Sequence, residues 1–320
     1  MRALRFHRYG PPEVLAIEDI AEPVPRPGEA KVRVLAAGLN PLDAKIRAGH
    51  LRWMPLFLPP PRGVGCDFCG EIVGVGGGGT ERHVGERVFG SLTSFGRQGA
   101  LAEFITVAFQ RLLPLPPSLD AELAAALPIA GATALQGLVD HAQMVAGQRV
   151  LITGAAGGVG HFAVQIAKHL GVYVVGVCSA SNAEFARSLG ADEVVDYARS
   201  DFSARADRFD VVFDAAGAST FASARRILTD QGIYLNTGGD AAAVVTTAAS
   251  AVLAQLTSRQ RAIVLAVRNR ADMWQRVLQL VLQGAVRPHV ERTIALEDVA
   301  DAQRQLETGH GRGKIVARID

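Results

Sequence analysis

Hydrophobic positions change their spacing twice along the chain. Over the first 120 residues they fall in short β-branched runs at 31–37, 71–75, 87–89 and 103–107, bounded by PVPRPGE, LPPPRGVG and VGGGG. Such runs between Gly/Pro breakers predict strands, and their spacing predicts a compact, largely antiparallel barrel. After LLPLPPSLD the pattern becomes Ala/Leu-rich, which predicts helix over 121–142. From Arg149 onward, apolar runs (RVLIT, VYVVGVC, EVVDY, FDVVFDAAG, GIYLN) alternate with amphipathic stretches at 159–170, 182–189 and 220–228. Strands that are apolar on both faces, separated by helices, predict an α/β fold with a parallel sheet covered on both sides. Beyond AIVLAV come a helix at 272–282, an extended RTIAL, a helix at 296–307 and a closing strand, GKIVARI. That tail is too small for a core of its own and is expected to pack back on the first part.

Composition narrows the picture. A chain of 320 residues is long for one core, so two domains are expected. The 29 arginines interleave with 31 acidic residues for a net charge of +2, with no basic stripe, so nucleic acid is not an expected partner. The N-terminus MRALRFHRYGPPEV breaks at Gly-Pro-Pro before any long apolar run, unlike a secretory signal. The uncharged stretch 241–256 is 16 residues, too short to span a bilayer, so no membrane partner is expected. Three cysteines in a chain of this size fit a reducing cytoplasm better than a disulfide framework.

The segment VLITGAAGGVGHFAVQIAKHLG joins a buried strand to a helix through a glycine-rich turn. Read from Ala155 it is A-x-G-x-x-G. Gly157 lets the backbone approach a pyrophosphate, Gly160 lets the helix sit close to the strand, and the amides of Ala156, Gly157, Gly158 and Val159 face the anion. At the end of the following strand a carboxylate would bind the ribose 2′-hydroxyl of NAD. The sequence there is Val-Cys-Ser179-Ala-Ser181-Asn, without one. Hydroxyls accept a 2′-phosphate that a carboxylate repels, so NADP(H) is the expected cofactor, with Arg187 and Tyr197 as helpers. A bland alternative is that Ser181-Asn182 cap the next helix. A second motif, GCDFCGE at 65–71, has CxxC spacing that could be half a zinc site, a redox pair or neither.

Together, AAGLNPLDAKIRAG, GCDFCGEIVGVG, GALAEFITV, AAALPIAGATALQGL and GAAGGVGHFAVQIAKHLG resemble, in order, the medium-chain dehydrogenases/reductases, and within them the zinc-independent quinone oxidoreductase group. SLGADEVVDY, DAAG and GHGRGKIVAR extend the match almost end to end. The resemblance implies a GroES-like β-barrel catalytic domain at 1–122 and 268–320 and a doubly wound Rossmann domain at 123–267. In zinc-dependent relatives the GCDFCGE motif supplies a histidine ligand and a glutamate; this chain has Cys66 and Asp67 there. Asn40 replaces a cysteine ligand, and a third ligand position falls near Ile129. No metal is expected, because a catalytic zinc needs about three protein ligands. A redox role is not expected either, since the cysteines enter a strand rather than sit at a helix N-terminus.

By the same resemblance Asn40, Asp43 and Lys45 lie beside the nicotinamide. Lys45 stands where many relatives have tyrosine, and is a candidate proton donor, against a solvated lysine. Asp67 is expected either to orient Lys45 or substrate, or to make a structural hydrogen bond. Thr133, Lys314, Ala216, Gly217, Thr237, Gly238 and Gly239 are expected around the cofactor. Hydride transfer from NADPH to a quinone or to the β-carbon of an α,β-unsaturated carbonyl is the expected reaction, on a small apolar electron-poor substrate. An enoyl-thioester reductase and a non-catalytic NADPH-binding sensor or scaffold are the alternatives. The segments 52–57 and 241–256 are candidates for the apolar substrate pocket. RAIVLAV is expected at a sheet edge that pairs in a homodimer.

Overall fold

The computed structural model describes residues 1–54, 58–77, 82–93, 96–237, 259–265, 267–309 and 311–319. Its larger-residue half is built on six parallel strands in the spatial order Glu193–Asp196, Tyr173–Cys178, Arg149–Thr153, Phe209–Asp214, Leu228–Asn236, Arg261–Val264. Val150, Leu151 and Ile152 on the central strand are all fully buried, as the unbroken apolar run requires. The strand order reverses on either side of Arg149–Thr153, the place where open α/β sheets leave a crevice at their carboxyl ends. Arg261–Val264 lies at the sheet edge, as expected.

The second sheet is mostly antiparallel and draws on both ends of the chain. Val290–Ile294, Lys314–Arg318, Glu29–Gly38, Asp67–Val75, Arg87–Ser91 and Leu112–Pro114 are neighbours in that order, and Phe104–Ala108 also pairs with Glu29–Gly38. Arg2–Phe6, Leu15–Asp19 and Arg62–Gly63 make a smaller sheet beside it. The tail therefore closes on the N-terminal part, with Val316 opposite Gly38.

Three segments depart from the pattern read above. The first 120 residues are not all β: Pro41–Ala48 is a helix. Its start carries Pro at the first helical position and Asp43 at the third, whose Oδ2 accepts the Asn40 backbone N–H at 2.8 Å, and it stops at Gly49 with φ +82°. The helix over 121–142 is three pieces: Ala121–Ala125, Pro128–Leu135, restarted by proline, and a π-helical Gln136–His141. The expected helix over 220–228 is the single turn Phe221–Ala224, because Leu228 is drawn into pairing with Phe209. Among the described residues no helix is long and apolar enough to cross a membrane.

Candidate functional site

The glycine loop follows Thr153 directly. Gly154 takes φ +60° and its carbonyl accepts the Gly157 N–H at 2.8 Å, turning the chain into the helix Gly160–His169. A Cβ on Gly160 would stand 2.0 Å from the Gly154 carbonyl oxygen, so this position must be glycine for helix and strand to approach. No side chain caps this helix; the His161 amide donates to the Gly157 carbonyl at 3.0 Å, and the amides ahead of it face a prospective anion.

His161, in that first turn, was not singled out from sequence. It is completely buried. Its Nε2 accepts the His289 backbone N–H at 3.3 Å, so the proton is on Nδ1, which donates to the Gly157 carbonyl at 3.0 Å. Burial holds its pKa down at about 4, so it is a neutral strut under the loop.

The neighbouring strand ends complete the crevice. Buried Asp214 accepts the Thr153 hydroxyl at 2.5 Å, the Ala218 and Ser219 amides at 2.9 and 3.0 Å, and the Tyr234 hydroxyl at 2.9 Å. It thereby shapes the turn holding Ala216 and Gly217. The Ala216 amide donates to Thr153 Oγ1 at 3.3 Å, and the Thr237 amide to the Asp214 carbonyl at 3.2 Å. Gly238, Gly239 and the segment 241–256 lie outside the described residues, as do residues 55–57 of the other expected substrate segment.

At the end of Tyr173–Cys178 the Ser179 and Ser181 hydroxyls are 3.0 Å apart. Arg187 and Tyr197 are exposed on the same rim. A second cation, Arg312, arrives here from the C-terminal tail. Its Nε donates to Asn182 Oδ1 and its Nη2 to the Ser181 carbonyl, both at 3.1 Å, while the guanidinium lies 5.2 Å from the Phe185 ring centre. The only sequence signal for it is adjacency to Lys314 in GHGRGK.

On the barrel side Asn40, Asp43, Asp67 and Lys314 come together, each at most 3% exposed. Lys314 Nζ donates to the Leu39 carbonyl and to Asn40 Oδ1, both at 2.6 Å. Asn40 Nδ2 donates to Asp67 Oδ2 at 2.9 Å, and Asp67 Oδ2 also accepts the Ile129 amide at 3.3 Å. The Thr133 hydroxyl donates to the Ile129 carbonyl at 2.7 Å, one turn back on its own helix. Lys45 is half-buried on the Pro41–Ala48 helix. Asp67 thus makes a structural bond to Asn40, and Lys314 stands among the residues expected to be catalytic rather than apart from them.

Two buried carboxyls beside one ammonium cannot all be charged cheaply. Burial raises the pKa of Asp43 to about 7; the Asp67 charge adds to this, while the Asn40 amide and Lys314 oppose it. Burial also raises Asp67, although Lys314 and the Asn40 amide hold it back. Lys314 is lowered by burial and supported by both carboxyls. The two donors on Asp67 Oδ2 favour its carboxylate, so the proton retained near neutrality belongs to Asp43.

The cysteines of GCDFCGE are buried and in no disulfide, and burial pushes the Cys69 thiol up to about 12, the opposite of an activated thiol. Nor do the residues around Asn40 fit a catalytic zinc. Asn40 and Asp67 are spent on each other, Ile129 contributes only an amide N–H, and the cation already among them is an ammonium. Among the described residues no group of three or more His, Cys, Asp or Glu could hold a metal.

A parallel sheet with a glycine loop at its switch point, joined to an antiparallel barrel that closes on the chain's own tail, defines a two-part dinucleotide-binding fold. Residues 26–117 match the alcohol dehydrogenase GroES-like domain, and residues 189–316 match the family described as zinc-binding dehydrogenase. The chain is 33% identical to the chloroplast envelope quinone oxidoreductase homolog of Arabidopsis thaliana, over 99% of this chain and 98% of that protein. It is 31% identical to the chloroplastic NADPH-dependent alkenal/one oxidoreductase of the same plant, over 99% of this chain and 79% of the other. The solved quinone oxidoreductase of Coxiella burnetii superposes with a TM-score of 0.90 at 30% identity, over 100% and 99% of the two chains. The chain belongs to the quinone oxidoreductase family of the medium-chain dehydrogenases/reductases.

Proposed function

We propose that the protein is an NADP(H)-dependent, metal-independent reductase of quinones or of the carbon–carbon double bond of α,β-unsaturated carbonyls. The observation that carries the reading is the pairing of an uncapped glycine-loop helix with a site whose polar groups are spent on one another and whose cation is Lys314. Such a site holds a cofactor but offers no Lewis acid to polarise a saturated carbonyl, so its acceptor must already be electron-poor.

The residues present fit NADP(H). The Gly158–Gly160 amides suit its pyrophosphate, and Ser179, Ser181 and Arg312 suit a 2′-phosphate at the end of the second strand. When bound, the cofactor supplies hydride. The chain's own residues bind and orient: Asp214 fixes the Ala216–Gly217 turn, and His161 braces the loop. Lys45, on the helix that Asn40 begins, is the candidate to give a proton to the enolate or phenolate oxygen as charge develops there.

The testing experiment follows loss of reduced-cofactor absorbance with NADPH and NADH, against an ortho-quinone, a para-quinone, a medium-chain 2-enal, a 2-enoyl thioester and a saturated aldehyde. The expected result is NADPH-dependent turnover of quinones or enal, unaffected by chelators, and none of the aldehyde. Preference for NADH would overturn the cofactor assignment, and preference for the thioester would move the assignment to an enoyl-thioester reductase. Cofactor binding with no turnover would favour a sensor. The edge position of Arg261–Val264 supports a two-fold pairing of chains, to be checked by sedimentation, and three buried cysteines outside any disulfide support a reducing cytoplasm.

A further inference from the structure

Lys314 has no assigned work in the scheme above beyond its charge, yet its ammonium holds Leu39 and Asn40, from which bonds run on into the rest of the site. A lysine ammonium has only donors, so the group it touches on Asn40 must be the amide oxygen. That fixes the amide: Nδ2 is then turned to Asp67 Oδ2 at 2.9 Å and to the Gly38 carbonyl at 3.3 Å, both acceptors. Asp67 passes the constraint to the Ile129 amide, at the start of the helix Pro128–Leu135 that carries Thr133. In the other direction, the Gly313 amide donates to the carbonyl of Ala156 in the glycine loop at 2.7 Å. A Cβ built on Gly158 would sit only 3.5 Å from Lys314 Cδ. Lys314 itself lies on the strand that pairs with Glu29–Gly38, and the Leu39 amide donates to the Ile315 carbonyl at 2.9 Å.

We infer that Lys314 is a positioning residue for hydride transfer: its buried ammonium fixes the Asn40 turn and, through Asp67, the Thr133 helix relative to a strand that Gly313 ties to the glycine loop, rather than binding the cofactor's phosphates. The inference rests on the reductase reading. A misplacement of about 1 Å between hydride donor and acceptor can cost on the order of a hundredfold in rate without weakening binding. An ammonium serving as a phosphate contact would instead show its loss in affinity.

The test uses Lys314→Met and the double variant Lys314→Met/Asp67→Asn, the second because the first leaves the buried Asp67 carboxyl without its cation and is expected to be destabilised. NADPH dissociation constants come from its fluorescence on binding, and kcat, KM for a quinone and Tm are measured alongside. The expected result is NADPH affinity within about threefold of the parent in both variants, with kcat down by about thirtyfold or more and KM little changed. Tm should fall in the single variant and recover in the double one, while kcat stays low in both. Recovery of kcat together with Tm would reduce Lys314 to charge compensation and overturn the inference. A rise of about thirtyfold in the NADPH dissociation constant with kcat intact would do so as well, making Lys314 a cofactor ligand. If the parent reduces no acceptor, the reductase reading fails instead. The emission spectrum of bound NADPH, which reports nicotinamide placement, then decides: a shifted spectrum in the double variant supports the inference and an identical one overturns it.

Discussion

On the sheet side of the site, the loop from Thr153 to Gly160 presents backbone amides and no charge of its own. On the barrel side, Asn40, Asp43, Asp67 and Lys314 take three ionisable side chains out of water and satisfy them only in part: Asp43 Oδ1 and Asp67 Oδ1 are buried without a hydrogen-bond partner among the described residues. The first arrangement is local, made by consecutive residues whose shape is fixed by what is missing at Gly160. The second is assembled from three distant segments, and each member is tolerable only while the others are present. The two therefore break differently: the loop through sterics, the cluster through uncompensated charge and pH.

The largest effect is expected at Gly160. Gly160→Ala puts a methyl 2.0 Å from the Gly154 carbonyl oxygen, and since backbone must move to admit it, destabilisation above about 3 kcal/mol is expected, with loss of NADPH binding. Thermal unfolding and a binding titration check both. Asp67→Ala removes one of the two carboxyls that support the buried Lys314 ammonium and takes the carboxylate acceptor from Asn40 Nδ2, and about 3 kcal/mol should be lost in urea unfolding. Asp67→Asn, which keeps an acceptor for Asn40, should lose less.

The pH dependence sharpens the contrast. Asp43 has a folded pKa of about 7, above its unfolded value, so the folded chain holds its proton longer. That contribution is full at low pH and is lost as pH rises through 7. His161, at about 4, lies below its unfolded value, so its contribution is full above about 6.5 and is lost as pH falls toward 4. Between about pH 4.5 and 6.5 the two slopes oppose, and the parent's stability should vary little. Asp43→Asn removes one of them while its neighbours Asp67, Lys314 and Cys66 remain. Stability should then fall on acidification by up to about 1.4 kcal/mol per pH unit, and exceed the parent's above pH 7. A variant whose profile matches the parent's would refute the opposing slopes.

The smallest effect is expected at the rim. Arg312→Ala should weaken NADPH binding about tenfold, or about 1.4 kcal/mol, and leave NADH nearly unchanged, because only the 2′-phosphate would meet the guanidinium. Equal losses for both cofactors would place Arg312 elsewhere in recognition.

What the sequence disclosed follows the same division. The loop, the parallel sheet and the edge strand were legible because each is a local pattern of glycine or apolar residues. The Pro41–Ala48 helix had a legible start as well, in Asn40, Pro41 and the Asp43 that accepts from the Asn40 backbone, but the β pattern around it hid the signal. The partners of Lys314, and the buried ring of His161 between Gly157 and His289, depend on tertiary neighbours with no mark in local pattern. Arg312 belongs to the same class, since nothing about an arginine in a glycine-rich tail says which strand end it will meet. The π-helical turn at Gln136–His141 was hidden too: the Gln136 side chain is held at both ends by the backbone of Arg268, a long-range contact invisible in the apolar spacing.

The bond from Lys314 to Asn40 joins residues 274 positions apart. During synthesis at about 5–20 residues per second, Asp43 and Asp67 are made many seconds before Lys314, whose ammonium offsets their charge. The nascent N-terminal part must therefore wait with two acidic side chains in solvent or unpaired, and the barrel cannot settle to its final form until the strand Lys314–Arg318 is released and inserted. The last strand acts as a latch on maturation: a chain stalled shortly before it would carry an intact glycine loop and a complete parallel sheet, yet be recognisable to quality-control machinery by its open barrel.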